Sequence, residues 1–155
     1  MYKKEIKTNI TFCSFDELSK QEKELIEAAK KASLDAYAPY SGFKVGSALL
    51  LDNGEILVAN NQENAAYPSG LCAERVVLFY ANATYPKNRV LSLAVAANKE
   101  GIFTENPISP CGSCRQVLLE SEHRQNSAIR LLLCGEKEVA VAESVASLLP
   151  LSFNL

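Results

Sequence analysis

Hydrophobic residues recur at helical spacing in three segments of the chain. The first opens with Ser19-Lys20-Gln21-Glu22, which has the form of a capping box, and Pro39 predicts that this helix ends before it. Its apolar positions recur every three to four residues, with Lys and Glu residues between them: Leu25, Ala29, Ala32 and Ala36. The other two helical segments run from residue 72 to about residue 83 and from residue 111 to about residue 122.

Five further runs are rich in aliphatic residues and predict β-strands. They are residues 43–51, 55–59, 90–97, 129–134 and 139–141. Asp52-Asn53-Gly54 separates the first two and predicts a hairpin. Because strands and helices alternate after this hairpin, we expect an α/β fold, a three-layer α-β-α sandwich around a five-stranded mixed sheet. A short last helix is expected to end at Pro150.

The size of the chain favours one globular domain. With 155 residues, 48% hydrophobic and 22% charged, we expect a single domain over residues 1–155, with residues 1–18 as an N-terminal extension. The formal charge of −2 argues against a nucleic-acid partner, because binding to a phosphate backbone needs a clustered basic surface. The polar start, Met1 to Glu5, predicts no signal peptide and no membrane partner, so we expect a cytoplasmic protein.

Five cysteines carry the main chemical signal. An odd number in a chain without an export signal argues against a disulfide framework and favours metal-binding or catalytic thiolates. Cys111 and Cys114 share the first turn of one predicted helix, and Cys72 opens another. Three thiolates from two helix N-termini could converge on one zinc ion and leave its fourth position open to water.

Glu74 follows Cys72 by two residues and is the candidate acid and base. On a helix it points about 200° away from Cys72, so it cannot easily join the same coordination sphere. It can instead touch a water molecule at the open position, take a proton from it and return that proton to a substrate nitrogen.

These motifs resemble a known family. The segments "CAER" at Cys72–Arg75 and "PCGSCRQ" at Pro110–Gln116 resemble the zinc signature of the cytidine deaminase superfamily, a class with a non-ligand glutamate and a P-C-x-x-C segment. The segments "YSGFKVGSALL" from Tyr40, "NNQENAAYPSG" from Asn60 and "LLPLSF" from Leu148 resemble the small homotetrameric cytidine deaminases. The resemblance covers roughly residues 40 to 153.

The resemblance implies a role for each matching residue. Cys72, Cys111 and Cys114 would hold one Zn²⁺ per chain, and Glu74 would carry protons. Asn61 and Glu63 would grip a ribose hydroxyl, and their alternate spacing agrees because both face one side of an extended segment. The remaining substrate contacts would be the Phe43 ring on the pyrimidine, the Ala73 N–H on the base carbonyl and the Ser109 carbonyl on the leaving amino group.

The reaction implied is hydrolytic deamination of cytidine and deoxycytidine at C4, which releases ammonia, by a homotetramer of pyrimidine salvage. Three thiolates make a zinc site formally negative, which weakens its ability to acidify water. Arg75, beside Glu74, could hydrogen-bond a ligand thiolate and draw charge from it.

Other interpretations of the same residues stay open. The CxxC pair alone could be a thiol–disulfide pair, and a structural zinc would need a fourth ligand, for which the single histidine, His123, lies too far along its helix. We expect His123 at the surface and Cys13 and Cys134 as small buried hydrophobic residues or ordinary thiols. Within the same fold the substrate could be another aminopyrimidine nucleoside, such as an antibiotic or a modified cytidine.

Overall fold

The helices and strands follow the order that the hydrophobic pattern predicts, with two short strands added. A computed structural model describes residues 1–153. The α-helices are α1 (Lys20–Leu34), α2 (Ala73–Thr84) and α3 (Gly112–Gln125). The strands are β1 (Thr11–Cys13), β2 (Phe43–Leu51), β3 (Ile56–Asn60), β4 (Val90–Lys99), β5 (Ile102–Phe103), β6 (Arg130–Cys134) and β7 (Val139–Ala142). In this part of the chain no helix combines the length and the apolar composition that crossing a membrane requires.

The predicted capping box at the start of α1 is confirmed. The Glu22 N–H donates to the Ser19 hydroxyl at 3.3 Å, and the Ser19 N–H donates to the Glu22 carboxylate at 2.8 Å. The helix ends at Leu34, two residues earlier than the periodic pattern suggested. The Ala36 N–H donates to the Ser33 carbonyl in a tighter turn, so Ala36 is buried just beyond the helix.

The sheet is mixed, as predicted. Its strand order is β1-β7-β6-β4-β2-β3, and β5 pairs with the C-terminal end of β4. Strands β4 and β6 run parallel, whereas the other pairs among these seven strands are antiparallel. Helix α3 makes the crossover between the two parallel strands.

The sheet has seven strands rather than the expected five. Strand β1 pairs with β7, from Thr11 opposite Val141 to Cys13 opposite Val139, so part of the expected N-terminal extension joins the sheet edge. Strand β5 folds back on β4 through Glu100 and Gly101, whose φ angles are 54° and 81°. Each added strand has two or three residues, too few for an alternating pattern to be visible in the sequence.

Helices cover both faces of the sheet, which confirms the three-layer sandwich. Alternate residues of each strand point to opposite faces, and the buried side chains divide accordingly into two clusters. Leu49, Leu93 and Leu131 pack towards α2 and α3. Ala48, Ala94 and Leu132 pack towards α1. The small residues on the second face allow α1 to lie close to the sheet.

Gly46 marks the closest approach of α1 to the sheet. A Cβ atom at this position of β2 would lie 2.0 Å from the Ala29 carbonyl oxygen and 2.5 Å from the Ser33 nitrogen. Only glycine fits there, because both neighbours are helix backbone. Gly46 therefore sets how closely α1 packs against β2.

Candidate functional site

Two of the three predicted cysteine ligands occupy helix N-cap positions. Cys72 caps α2 and Cys111 caps α3, both with extended backbone angles and neither with a side-chain capping bond. Cys114 lies in the first turn of α3. The unpaired N–H groups of both helix starts favour negative charge on the sulfurs.

The three sulfur atoms lie close together. Cys72 Sγ is 3.9 Å from Cys111 Sγ, Cys111 Sγ is 3.5 Å from Cys114 Sγ, and all three lie within 4.8 Å of one another. Sulfurs bound tetrahedrally to zinc at ~2.3 Å would be ~3.8 Å apart, so this cluster could hold one zinc ion.

The surroundings of the cluster argue against a structural zinc site and against a two-cysteine redox pair. Among residues 1–153 no fourth histidine, cysteine or acidic residue joins the three sulfurs, and His123 is exposed in the last turn of α3. A closed structural site with His123 therefore has no geometric support. A two-cysteine redox pair would not require Cys72, which lies as near to Cys111 as zinc coordination needs.

The pKa values of Cys72 and Cys114 are shifted in opposite directions. Donation from the Cys114 thiol and from the Arg75 guanidinium lowers the pKa of Cys72 to about 5. The pKa of Cys114 is raised, first because it donates to Cys72 and then because it is buried. These directions favour negative charge on Cys72, and zinc binding needs deprotonated thiols.

Arg75 is the cation nearest to the ligand set in the contacts described. Its Nη2 lies 3.9 Å from Cys72 Sγ, and its buried Nε has no hydrogen-bond partner among the described residues. Both nitrogens are therefore available to a negatively charged sulfur cluster.

Glu74 lies beside the sulfurs and is almost fully buried. Its exposed fraction is 4%, and burial raises the pKa of its carboxyl, an effect that the charge of Cys72 reinforces. A carboxyl with a raised pKa exchanges protons more readily near neutral pH.

A cavity opens next to the cluster. It has a volume of about 500 Å³, and its lining includes Asn61, Glu63, Cys72 and Arg75. Tyr40 and Tyr67 also line this cavity, and their rings meet edge to face with centroids 6.4 Å apart. One cysteine of the cluster and the predicted ribose-binding residues thus border the same cavity.

Asn61 and Glu63 make several bonds to the protein itself. Asn61 accepts from the Val45 N–H at 2.8 Å and donates to the Phe43 carbonyl at 3.0 Å. Glu63 accepts from the Tyr40 N–H at 2.9 Å and from the Ser41 hydroxyl at 2.5 Å. The bonds to Glu63, chiefly that from Ser41, lower its pKa and keep it ionised. Both side chains are held in place, and their contact with ribose stays a prediction.

The other predicted substrate contacts lie around the site but not in the cavity lining. Phe43 begins β2 and is half-buried, Ala73 is fully buried after Cys72, and Ser109 is exposed before Cys111. Their contacts with a base also stay predictions.

The structure adds residues that the sequence did not single out. Ser41 holds Glu63, and its position within the Tyr40–Leu50 motif was the available signal. Arg115 follows Cys114 directly and donates to Ser109 and Pro110.

The remaining two cysteines lie in the sheet, away from this cluster. Cys134 is buried in the core on the α1 side, as expected, and burial raises its pKa to about 11. Cys13 is half-buried at the sheet edge. Both pair with Val139 from opposite sides, so a strand lies between them.

Comparison with known proteins identifies the family. Residues 19–129 match the family described as the cytidine and deoxycytidylate deaminase zinc-binding region. A cytidine deaminase of Sporosarcina psychrophila is 42% identical over 130 residues, 84% of this chain and 89% of the relative. The structure of a cytidine deaminase from Burkholderia pseudomallei superposes with a TM-score of 0.72 and 40% identity, over 84% of this chain and 97% of that one.

A second solved structure gives the same result. The cytidine deaminase of Mycobacterium tuberculosis superposes with a TM-score of 0.65 at 36% identity, over 85% of this chain and 96% of that chain. The matches cover most of each chain, and the family match includes all three clustered cysteines. The chain is a member of the cytidine and deoxycytidylate deaminase zinc-binding family.

Proposed function

We propose that this protein is a zinc-dependent deaminase that converts cytidine and deoxycytidine to uridine and deoxyuridine with release of ammonia. One observation carries the proposal: a three-sulfur cluster with a buried glutamate beside it borders a cavity of nucleoside size in a chain of this family. Zn²⁺ held by Cys72, Cys111 and Cys114 would supply the Lewis acidity that activates water at neutral pH.

Glu74 moves the protons in the proposed reaction. Its carboxylate takes a proton from the attacking water and delivers it to N3 of the pyrimidine, and a second proton transfer goes to the departing amine at C4. Burial supports this role, because the raised pKa makes the carboxyl able both to accept and to return a proton.

The substrate is held by groups on four segments of the chain. Asn61 and Glu63 bind the ribose, the Phe43 ring lies against the base, the Ala73 N–H donates to the base carbonyl and the Ser109 carbonyl accepts from the amino group. The hydrogen bonds that already fix Asn61 and Glu63 support this assignment, because preorganised groups lose little freedom on binding.

Nucleosides should be preferred over nucleotides. Glu63 is ionised in the cavity, so a 5′-phosphate would meet a like charge there. We expect kcat/KM for cytidine and deoxycytidine to exceed that for deoxycytidylate by about fivefold, because solvent weakens the repulsion between exposed like charges but does not remove it. Ammonia release from all three substrates measures this.

The same assay separates the alternative substrates. If a modified cytidine or an aminonucleoside antibiotic gives a higher kcat/KM than both cytidine and deoxycytidine, the zinc chemistry stands and the substrate assignment is wrong. If zinc-loaded protein releases ammonia from none of these nucleosides, the proposed function is wrong.

Arg75 should affect the rate of deamination and leave the zinc content unchanged. We expect Arg75→Gln to keep its zinc and to turn over cytidine about 10- to 100-fold more slowly, as the loss of a residue that supports a metal ligand commonly does. The reason is that more negative charge stays on Cys72. Arg89→Gln, at an exposed ion pair with Asp52, is the matched control. Unchanged turnover in zinc-loaded Arg75→Gln would contradict this role.

The homotetramer and the cytoplasmic location stay proposals. Exposed aromatic side chains support an assembly: Phe79 and Tyr80 on α2 are 46% and 54% exposed, and Phe153 is 68% exposed. Phe79 and Phe153 line one groove together with residues of α3. Light scattering on the purified protein would give the number of chains, and cell fractionation would give the location.

A further inference from the structure

Arg115 bridges two chain segments that are distant in sequence. Its Nε donates to the Pro110 carbonyl at 2.8 Å and its Nη2 to the Ser109 hydroxyl at 2.9 Å. Its Nη1 donates to the Leu148 carbonyl at 2.9 Å. One guanidinium thus ties the loop before Cys111 to the C-terminal segment.

The loop that ends at Pro110 is fixed at its other end by the β6–β7 turn. The Glu136 N–H donates to the Thr104 carbonyl at 3.0 Å, and the Lys137 N–H donates to the Glu105 carbonyl at 3.1 Å. Gly135 lets the loop pass close by, because a Cβ there would lie 2.6 Å from the backbone at Asn106. The first half of the loop is therefore held by backbone contacts, and Arg115 holds the second half.

The position of Ser109 matters because its carbonyl is the proposed acceptor for the leaving amino group. Ser109 is exposed and precedes the N-cap of α3 by two residues, outside the helix that orders Cys111 and Cys114. An acceptor displaced by about 1 Å can cost a factor of about 100 in rate. Arg115 lies one residue beyond Cys114, so the same helical turn that carries two sulfurs also carries the group that holds this loop.

We propose that Arg115 is a positioning residue that sets the Ser109–Pro110 peptide for recognition of the substrate amino group, with the Leu148 carbonyl holding the guanidinium in place. This inference rests on the proposed function. A planar guanidinium suits the task, because it directs donors in fixed directions to three acceptors, whereas a lysine ammonium acts as a compact point charge on a flexible stem.

Gln116 provides a matched control. It is the next residue of α3, and its side-chain amide donates to the Phe153 carbonyl at 3.1 Å, so it also ties the C-terminal segment to the helix. Its described side-chain hydrogen bond goes to that segment and not to the Ser109 loop. Gln116→Ala thus loosens the C-terminal segment alone, whereas Arg115→Met releases the loop as well.

The test compares the parent, Arg115→Met, Arg115→Lys and Gln116→Ala as zinc-loaded proteins. We expect both Arg115 variants to keep one zinc per chain and to lose about 10- to 100-fold in kcat/KM for cytidine. Uridine carries oxygen in place of the amino group, so its inhibition constant should change by less than about threefold. Gln116→Ala should stay within about twofold of the parent in both values, because a contact away from the reacting groups changes little.

Three results would overturn the role of Arg115. The first is an unchanged kcat/KM for cytidine in the Arg115 variants. The second is a weakening of uridine inhibition in these variants by the same factor as their loss of kcat/KM. The third is a loss of kcat/KM in Gln116→Ala as large as that in the Arg115 variants. The last two would each indicate general loosening of the site.

Hydrogen exchange keeps the inference testable if Arg115→Met fails to fold or if the parent does not deaminate cytidine. The amides of Glu136 and Lys137, which donate to carbonyls of this loop, should exchange faster in Arg115→Lys than in the parent and in Gln116→Ala. Unchanged exchange in Arg115→Lys would overturn the inference. If the zinc-loaded parent is inactive on cytidine but exchange is faster in Arg115→Lys, the proposed function is wrong. The conclusion that Arg115 orders the loop would still stand.

Discussion

Replacing Glu74 by glutamine should slow deamination of cytidine by about 100- to 10,000-fold, the range that a positioned general acid and base contributes. The amide keeps the size of the side chain and its place beside Cys72 and Cys114, but it cannot accept a proton from water or return one to N3. Because Glu74 is not a predicted ligand, the variant should keep one zinc per chain. The loss of cytidine absorbance and the zinc content of the same sample measure both effects.

Glu120→Gln is the control for the Glu74 variant. Glu120 is exposed on α3, so the same chemical change there should leave turnover as it is in the parent. If zinc-loaded Glu74→Gln kept more than about a tenth of the parent rate, proton transfer by Glu74 would not be the mechanism, because such a loss is below the usual contribution of a general acid and base.

Removing the buried sulfur should abolish activity through loss of the metal. We expect Cys114→Ala to lose its zinc and to slow by about 1000-fold or more, because a catalytic metal supplies several kcal/mol of transition-state stabilisation. Cys114 is fully buried and interacts with both Cys72 and Glu74, so its loss leaves two sulfurs, one of them exposed. Metal analysis and turnover measured with added zinc test the expectation.

Cys134→Ala is the matched control, since it removes another buried thiol on the far side of the sheet. It should lower the melting temperature but keep zinc and turnover, because Cys134 packs in the core towards α1. The parent stripped by a chelator should regain activity when zinc is added, whereas Cys114→Ala should not. Turnover at the parent rate by zinc-free Cys114→Ala would contradict a metal-dependent reaction.

The sequence predicted the long elements of the fold because their patterns are local. The capping box at Ser19 and the apolar run of β4 require no knowledge of distant residues. Strand β1 could not be found in this way, because Thr11 to Cys13 become a strand only by pairing with β7, more than 120 residues away. The fold-back of β5 depends on positive φ angles at Glu100 and Gly101, and glutamate gives no signal for one.

The site shows the same division between local and distant information. Spacing indicated that Cys111 and Cys114 share a helical turn, and the place of Cys72 at the start of another predicted helix, 39 residues earlier than Cys111, suggested the third sulfur. The bond from Ser41 to Glu63 could not be predicted from spacing, because it depends on how two loops meet. The bond from Arg115 to Leu148 depends likewise on where a segment 33 residues later lies. The bonds from Asn61 to the β2 backbone were also not foreseen, since the spacing showed only that Asn61 and Glu63 share a face.

The cysteines at the starts of α2 and α3 place stability and activity in conflict. An oxygen-bearing side chain at Cys72 or Cys111 would accept a backbone N–H bond and strengthen its helix by about 1 kcal/mol. The same change would remove a sulfur from the proposed zinc site. A search for heat-resistant variants that scored folding alone would therefore select inactive proteins at these two positions, and it should hold both of them fixed.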